Sequence, residues 1–175
     1  MSVDNIPIGN ILIVDDTPAN LRLLSGILSD RGYLVRPAPS GALALRAIES
    51  NPPDLIILDI NMPDMNGYDI ARHLKAQPET REIPIIFVSA LGEIEDKIRA
   101  FRAGGVDYIT KPFQVEEVLA RVDAHNTLRV LQKRLARSNE ELERQVAIRT
   151  SQLLSINRAN QRFVPREILQ MLGRS

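Results

Sequence analysis

Short apolar runs alternate with amphipathic segments over the first two thirds of the chain. Five runs rich in β-branched residues predict β-strands. They lie at Ile11–Val14, Leu34–Val35, Leu55–Leu58, Ile85–Val88 and Val106–Ile109. The segments between them carry apolar residues at helical spacing, as at Leu21, Leu24 and Leu28. This alternation predicts a doubly wound α/β domain, with a five-stranded parallel sheet between two layers of helices.

The apolar pattern changes after residue 125. No proline or glycine occurs between Val115 and Asn160, so nothing in the sequence ends the fifth helix early. Its mostly apolar stripe then recurs at alternating spacings of three and four residues, which is the heptad seam of a coiled coil. One additional spacing of four residues, a stutter, lies between Leu142 and Val146. The seam positions are Leu128, Leu131, Leu135, Ser138, Leu142, Val146, Arg149, Leu153 and Ile156.

A seam of this kind predicts a parallel dimeric coiled coil, because an isolated helix has nothing to cover its apolar stripe. Ser138 and Arg149 interrupt the apolar positions and are expected to weaken the seam locally. A single solvated helix is the alternative, but the stripe is too regular to favour it.

The net charge of zero hides two parts of opposite sign. Residues 1–125 contain 12 Lys and Arg against 18 Asp and Glu, whereas residues 126–175 contain 10 against 4. Glutamates are interleaved with the basic residues of the second part, and Phe163 is its only aromatic residue. A solvated coiled-coil face explains this pattern better than a nucleic-acid-binding surface does. We therefore expect no nucleic-acid partner.

Composition excludes several classes of protein. The chain has 175 residues, 44% hydrophobic and 25% charged, as in ordinary globular proteins. None of its apolar runs approaches the roughly 20 residues of a membrane-spanning helix. The segment Met1 to Asn10 has no basic residue before its apolar part, unlike a secretory signal. The absence of cysteine excludes disulfides, thiol catalysis and cysteine-ligated zinc. We expect a cytoplasmic protein without a membrane partner.

Polar side chains follow four of the five predicted strands. They are Asp15 and Asp16 after the first, Asp59 after the third, Ser89 after the fourth and Lys111 after the fifth. Parallel sheets bind ligands at this edge, where the strand order reverses. Clustered carboxylates need a hard cation such as Mg²⁺, and a lysine can pair with a phosphoryl group. Each residue alone could be a cap, a turn or an exposed side chain, but together they predict a metal- and phosphate-binding pocket.

With these residues the sequence resembles the receiver domains of two-component response regulators. The motifs that carry the resemblance are Val14-Asp15-Asp16, Asp54 to Pro63, Asn66-Gly67-Tyr68, Val88-Ser89-Ala90 and Asp107 to Phe113. The resemblance covers roughly residues 10–125 and implies the flavodoxin-like (βα)5 fold. Asn66 and Gly105 stand where the family usually has Asp and Ala.

The resemblance implies how the pocket handles a phosphoryl group. Asp59 would accept it from a sensor histidine kinase or a phosphotransfer protein, and Ser89 and Lys111 would hold its oxygens. Tyr108 would be the aromatic switch residue that moves inward on activation. A cis peptide bond before Pro112 would aim the lysine.

The resemblance also implies a Mg²⁺ site. Asp16, the side chain of Asp59 and the backbone carbonyl of Asn61 would be the ligands. Asp15 would act through metal-bound water and by orienting its neighbours.

The C-terminal part carries two further resemblances. Residues 141–146 and 149–153 resemble the signalling helices that join receivers to output enzymes. Residues 163–173 resemble the stretch before a class III nucleotide cyclase domain. The second resemblance implies the regulatory part of an adenylate cyclase, and because nothing follows Ser175 we expect no catalytic output domain in this chain.

We therefore expect an N-terminal extension (1–9), a receiver domain (10–125), a coiled-coil signalling helix (126–160) and a linker to a missing output domain (161–175). Phosphorylation would alter the surface made by the fourth helix, fifth strand and fifth helix, and the dimeric coil would carry the change onward. We expect the chain to catalyse its own phosphorylation and no other reaction.

Two alternatives stay open. An inert receiver on a constitutive dimerisation scaffold is one. An aspartyl-phosphate phosphatase is the other, disfavoured because Asn61, rather than a second acid, lies two residues after Asp59.

Overall fold

The computed structural model describes residues 7–90 and 94–161, in which five strands and five helices alternate. The strands are β1 (Asn10–Val14), β2 (Leu34–Ala38), β3 (Leu55–Asp59), β4 (Ile85–Ser89) and β5 (Asp107–Thr110). The helices are α1 (Pro18–Asp30), α2 (Gly41–Ser50), α3 (Gly67–Ala76), α4 (Ile94–Arg102) and α5 (Val115–Gln161). The predicted α/β alternation is confirmed, although β5 begins and ends one residue later than its apolar run.

The five strands form one parallel sheet in the order β2-β1-β3-β4-β5. Strand order reverses at β1, which pairs with both β2 and β3. Val14 lies opposite Leu58 in this register, so β1 and β3 end side by side. The predicted doubly wound sheet is confirmed, and its switch point lies where the acidic residues follow the strands.

Alternate side chains of the central strands feed two hydrophobic cores, one on each face of the sheet. On one face, Leu12, Ile56 and Phe87 pack with buried residues of α2, α3 and α4. On the other face, Ile13 and Ile57 pack with buried residues of α1 and α5. Strands covered on both faces need apolar residues throughout, which explains the uninterrupted runs in β1, β3 and β4.

Apolar residues also recur at helical spacing in α4, at Ile98, Phe101 and the following Ala103, but they are not all covered by the core. Ala100 is buried, but Ile98 and Phe101 are 46% and 53% exposed. The larger apolar side chains of α4 are therefore about half exposed, whereas the small side chain of Ala100 packs into the core.

Local sequence signals set several element boundaries. Pro18 opens α1, where its missing N–H is not needed. The Ser40 hydroxyl accepts a hydrogen bond from the Leu43 amide and caps α2. Gly32 follows α1 with a φ of 97°, a conformation that residues with a Cβ rarely adopt.

Contacts divide the chain into two compact units, with the boundary between Val130 and Leu131. In the second unit α5 continues as a helix to Gln161, which confirms the predicted helical extension. Its apolar seam residues are between 54% and 67% exposed; they are Leu131, Leu135, Leu142, Val146, Leu153 and Ile156. The coiled-coil partner therefore stays a prediction.

Two expected segments lie mostly outside the described residues. The linker assigned to 161–175 has only residue 161 inside them, and the N-terminal extension only 7–9. Within 7–90 and 94–161, no helix combines the length and apolar character needed to cross a bilayer.

Candidate functional site at the carboxyl edge of the sheet

Two buried carboxylates lie where β1 and β3 end. Asp15 directly follows β1 and is 2% exposed, and Asp59 is the last residue of β3 and is 4% exposed. Because the two strands are hydrogen-bonded neighbours in parallel register, their side chains share one pocket. Such burial is costly for carboxylates unless they are paired.

Lys111 supplies that pairing. Its Nζ donates hydrogen bonds of 2.9 Å to Oδ2 of Asp15 and 2.9 Å to Oδ2 of Asp59. The lysine follows β5, and its backbone amide donates to the carbonyl oxygen of Ser89 at 2.8 Å. The Lys111–Pro112 peptide bond is cis. One ammonium group thus joins residues that are 96 and 52 positions away in sequence.

Asp15 is held by further donors. The Thr17 amide donates to its Oδ1 at 2.8 Å, and the Asn20 amide group lies 3.1 Å and 2.9 Å from its two oxygens. Sequence reasoning did not identify Asn20. Its position in the first turn of α1, just after the Asp15-Asp16 pair, is the signal that could have found it.

A third carboxylate completes the cluster. Oxygens of Asp15, Asp16 and Asp59 lie within 4.8 Å of one another. Asp16 is exposed, so the cluster opens to solvent on its side. Oxygen ligands in this number suit a hard divalent cation that keeps several waters. The backbone amide of Asn61 donates to Oδ1 of Asp59 at 3.4 Å.

The charges in the pocket are unbalanced. Burial raises the pKa of the Asp59 carboxyl, and the hydrogen bond and positive charge of Lys111 offset this only in part. Burial alone would lower the pKa of Lys111, but its hydrogen bonds to Asp59 and Asp15 raise it overall. Because one ammonium group serves two buried carboxylates, each receives only part of its charge. The pocket therefore keeps excess negative charge that a cation can neutralise.

Ser89 and Tyr108 lie beside each other at the same edge. Ser89 is fully buried, and Tyr108 is 5% exposed within the core cluster that contains Phe87. Burial raises the pKa of the Tyr108 hydroxyl, and a hydrogen bond with Ser89 opposes the rise. Tyr108 thus occupies an inward position here, in contact with the serine expected to hold a phosphoryl oxygen.

The loop after β3 depends on Gly67. A Cβ at this position would lie 2.3 Å from the backbone oxygen of Asp59 and 2.9 Å from Cα of Ile60. The Gly67 amide donates to the Ile60 carbonyl at 2.9 Å. The start of α3 therefore packs directly on the backbone that carries Asp59, and only glycine fits there. Sequence reasoning used Gly67 as part of a motif but did not assign it this contact.

Residues 11–123 match the family model of the response regulator receiver domain. Among curated proteins, the Vibrio cholerae serotype O1 protein named "Probable cyclic di-GMP phosphodiesterase" is 36% identical over 153 residues, which are 87% of this chain and 34% of that protein. The transcriptional regulatory protein KdpE of Mycobacterium tuberculosis is 45% identical over 114 residues, which are 65% of this chain and 49% of that protein. The chain thus spans half or less of the length of these relatives.

Solved structures agree with the sequence matches. The signal receiver domain of a signal transduction histidine kinase from Syntrophus aciditrophicus has a TM-score of 0.64 and 38% identity, covering 68% of this chain and 90% of that one. NtrX from Brucella abortus has a TM-score of 0.68 and 31% identity, covering 74% of this chain and 29% of that one.

Removing the buried charge of Asp59 should stabilise the metal-free protein. The folded-state pKa of Asp59 is raised, so its ionised form costs stability above the unfolded pKa, and this cost disappears as the pH falls below that value. We expect Asp59→Asn to raise Tm by roughly 2–4 °C at neutral pH in the presence of a chelator. The advantage should shrink on acidification.

Asp16→Asn is the matched control. Because Asp16 is exposed, this substitution should raise Tm less. Thermal unfolding followed by circular dichroism measures both. A lower Tm for Asp59→Asn would mean that its ion pair with Lys111 outweighs the cost of burial.

Substituting Gly67 should disturb the pocket. Gly67→Ala must displace the Asp59 backbone, so we expect a loss of about 1–3 kcal/mol in the free energy of unfolding, typical of overpacking. Gly26→Ala is the control, because a Cβ there meets no atom within 4 Å and the residue lies within α1. That variant should raise the free energy of unfolding by up to about 1 kcal/mol. Urea unfolding compares them, and equal effects would refute the packing argument.

Proposed function

The chain belongs to the response regulator receiver domain family over residues 11–123, and on that basis we propose that it is a phosphoacceptor module in which Asp59 receives a phosphoryl group from a sensor histidine kinase or a phosphotransfer protein. The observation that carries the proposal is the Lys111 ammonium group held between Asp15 and Asp59, with Asp16 beside them. Phosphoryl transfer needs a positioned nucleophile together with positive charge, from a side chain and a metal ion, that neutralises the charge on the phosphoryl oxygens.

The covalent step is a displacement at phosphorus. An oxygen of Asp59 forms the new bond to phosphorus, while the bond from phosphorus to the donor's imidazole nitrogen breaks and its electron pair stays with the nitrogen. Asp59 enters ionised and leaves as an acyl phosphate. Lys111 and the Ser89 hydroxyl pair with the phosphoryl oxygens as charge develops on them.

The three carboxylates fit a Mg²⁺ ion, which would neutralise charge between the nucleophile and the incoming phosphoryl group. Asp16, the Asp59 side chain and the backbone carbonyl of Asn61 would hold it. Asp15 would act through bound water and by keeping Lys111 in place, a role that its contacts with Asn20 and Thr17 support.

The acyl phosphate would compete with the present hydrogen-bond partners of Ser89 and Lys111. Drawing the Ser89 hydroxyl toward phosphate weakens its hydrogen bond with Tyr108, and Tyr108 lies on β5 between α4 and α5 in chain order. We therefore propose that phosphorylation alters the surface formed by α4, β5 and α5, where Ile98 and Phe101 are exposed.

The output lies outside this chain in our proposal. The match to the Vibrio cholerae protein covers 153 residues, which reaches beyond the receiver region into the C-terminal helix and leaves two thirds of that protein for other parts. This supports an arrangement of receiver, coil and signalling output. The resemblance of residues 163–173 to the region before a cyclase domain favours a nucleotide cyclase as that output.

Phosphorylation of Asp59 can be tested with a small donor. Incubation with acetyl phosphate and Mg²⁺ should add the mass of one phosphoryl group to most of the protein, and peptide mapping should place it at the end of β3. Asp59→Asn should take up none. Asp64→Asn removes an exposed carboxylate from the following loop and should be labelled like the native protein.

Absence of labelling with native folding would favour the inert scaffold. Continuous release of phosphate from an added phosphate ester would favour the phosphatase.

We further propose that the exposed seam of α5 pairs with a second copy of the chain. Light scattering should give a dimer mass with Mg²⁺ and beryllofluoride, a phosphoryl mimic. A monomer mass without beryllofluoride and in Asp59→Asn would mean that phosphorylation forms the dimer. A dimer mass in every condition would mean that phosphorylation acts within an existing dimer. Leu135→Asn should weaken the dimer at least about tenfold, whereas Ile148→Asn, off the seam, should not. A monomer in every condition would contradict the proposal.

A further inference from the structure

Helix α4 is attached to the core by few of its own side chains. Of its nine residues, all of which the structure describes, only Ala100 is buried. Its C-terminal end is fixed by the turn into β5, where the Gly105 amide donates to the Ala100 carbonyl oxygen at 3.1 Å. In its first turn Ile94 is exposed to solvent. The N-terminal half of α4 therefore depends on contacts that other elements make with it.

Tyr68, in the first turn of α3, makes two such contacts. Its hydroxyl donates a hydrogen bond of 3.3 Å to the backbone carbonyl oxygen of Asp96. The guanidinium carbon of Arg99 lies 4.9 Å from the centroid of the same ring, a cation–π contact. The ring itself is buried and packs on Phe87 of β4, with 5.2 Å between the ring centroids. One side chain of α3 thus contacts both a backbone group and a side chain of α4.

Tyr68 is also fixed relative to the phosphoryl pocket. The Asn66 side chain accepts a hydrogen bond of 2.9 Å from the Tyr68 amide and caps α3. Gly67, between them, packs so closely on Asp59 that a Cβ would lie 2.3 Å from the Asp59 backbone oxygen. The start of α3 therefore has little room to move relative to the backbone that carries Asp59. Tyr68 links that backbone to α4.

The contacts of Tyr68 lie next to the hydrogen bond between Ser89 and Tyr108. Burial raises the pKa of the Tyr68 hydroxyl, and the negative charges of Asp96 and of ionised Tyr108 raise it further, so these groups are near neighbours. Tyr68, Phe87 and Tyr108 belong to one buried cluster. Because such clusters are closely packed, the Tyr68 contacts and the Ser89–Tyr108 hydrogen bond belong to the same arrangement of side chains.

We propose that Tyr68 is a positioning residue that opposes phosphoryl binding, because its contacts with α4 stabilise the arrangement in which Ser89 is bonded to Tyr108. A phosphoryl group at Asp59 that draws Ser89 away must also weaken those contacts. Contacts made in only one of two arrangements lower the apparent affinity of a ligand that favours the other. This inference rests on the proposed function and names a residue that sets how tightly the pocket binds. Loss of the Tyr68 contacts therefore tightens binding.

Binding of beryllofluoride in the presence of Mg²⁺ tests this direction, with the bound fraction followed by fluorine NMR. Tyr68→Phe keeps the ring and removes the hydroxyl. It should lower the apparent Kd about fivefold, the usual contribution of one hydrogen bond. Arg99→Gln removes the cation–π contact and should lower the Kd about twofold.

Two matched controls leave α4 in contact with Tyr68. The buried Tyr33 hydroxyl donates to Oδ1 of Asp123 at 2.6 Å and belongs to the core on the other face of the sheet. Tyr33→Phe also loses a hydrogen bond but should leave the Kd unchanged. Arg102→Gln removes the same charge as Arg99→Gln from an exposed position of α4 and should not tighten binding.

A second readout needs no ligand. Amide hydrogen exchange in α4 should be about fivefold faster in Tyr68→Phe than in Tyr33→Phe, because local opening no longer breaks the hydrogen bond to Asp96. Equal exchange in the two variants would overturn the role of Tyr68. An unchanged or higher Kd in Tyr68→Phe, or an equal fall in Tyr33→Phe, would overturn it as well and leave the phosphoacceptor site standing. A native protein that binds no beryllofluoride would overturn the proposed function together with this inference.

Discussion

One ammonium group shared between two buried carboxylates is the interaction on which the site depends. Lys111 contacts Asp15 and Asp59 at equal distances, and Asp16 adds a third carboxylate at the solvent side. The fold makes this possible because β1 and β3 are neighbours, although 40 residues lie between Val14 at the end of β1 and Leu55 at the start of β3. The residual negative charge is a cost to the folded protein that a bound cation would reduce.

Strand β5 connects the pocket to α5. Ser89 contacts Tyr108, and Asp107, next to Tyr108, accepts hydrogen bonds from Arg121 and His125 of α5. Burial would raise the pKa of the Asp107 carboxyl, but these two donors lower it overall. The start of β5 is thus tied to α5 by ionic contacts. We propose that a change at Ser89 reaches the first part of α5 through these contacts.

Much of this arrangement could be predicted from the sequence, and the reasons are physical. The uninterrupted apolar runs identified central strands, and the rule for open parallel sheets then placed Asp15, Asp59 and Lys111 at one edge. Asn20 was not identified from the sequence, because its contact with Asp15 depends on how the first turn of α1 is placed relative to β1. Helical spacing marked the apolar face of α4 but could not tell that Ile98 is exposed, since periodicity identifies a face and not what covers it.

We propose that a divalent cation balances the charge that Lys111 leaves uncompensated. Thermal unfolding at neutral pH over increasing Mg²⁺ concentrations measures this balance. We expect the free energy of unfolding of the native protein to rise by about 2.7 kcal/mol at a hundredfold excess of Mg²⁺ over Kd. Asp16→Asn, which retains the buried pair, should gain far less at the same concentrations. A native protein whose stability does not respond to Mg²⁺, or an equal gain in Asp16→Asn, would show that no cation bound by Asp16 balances this charge.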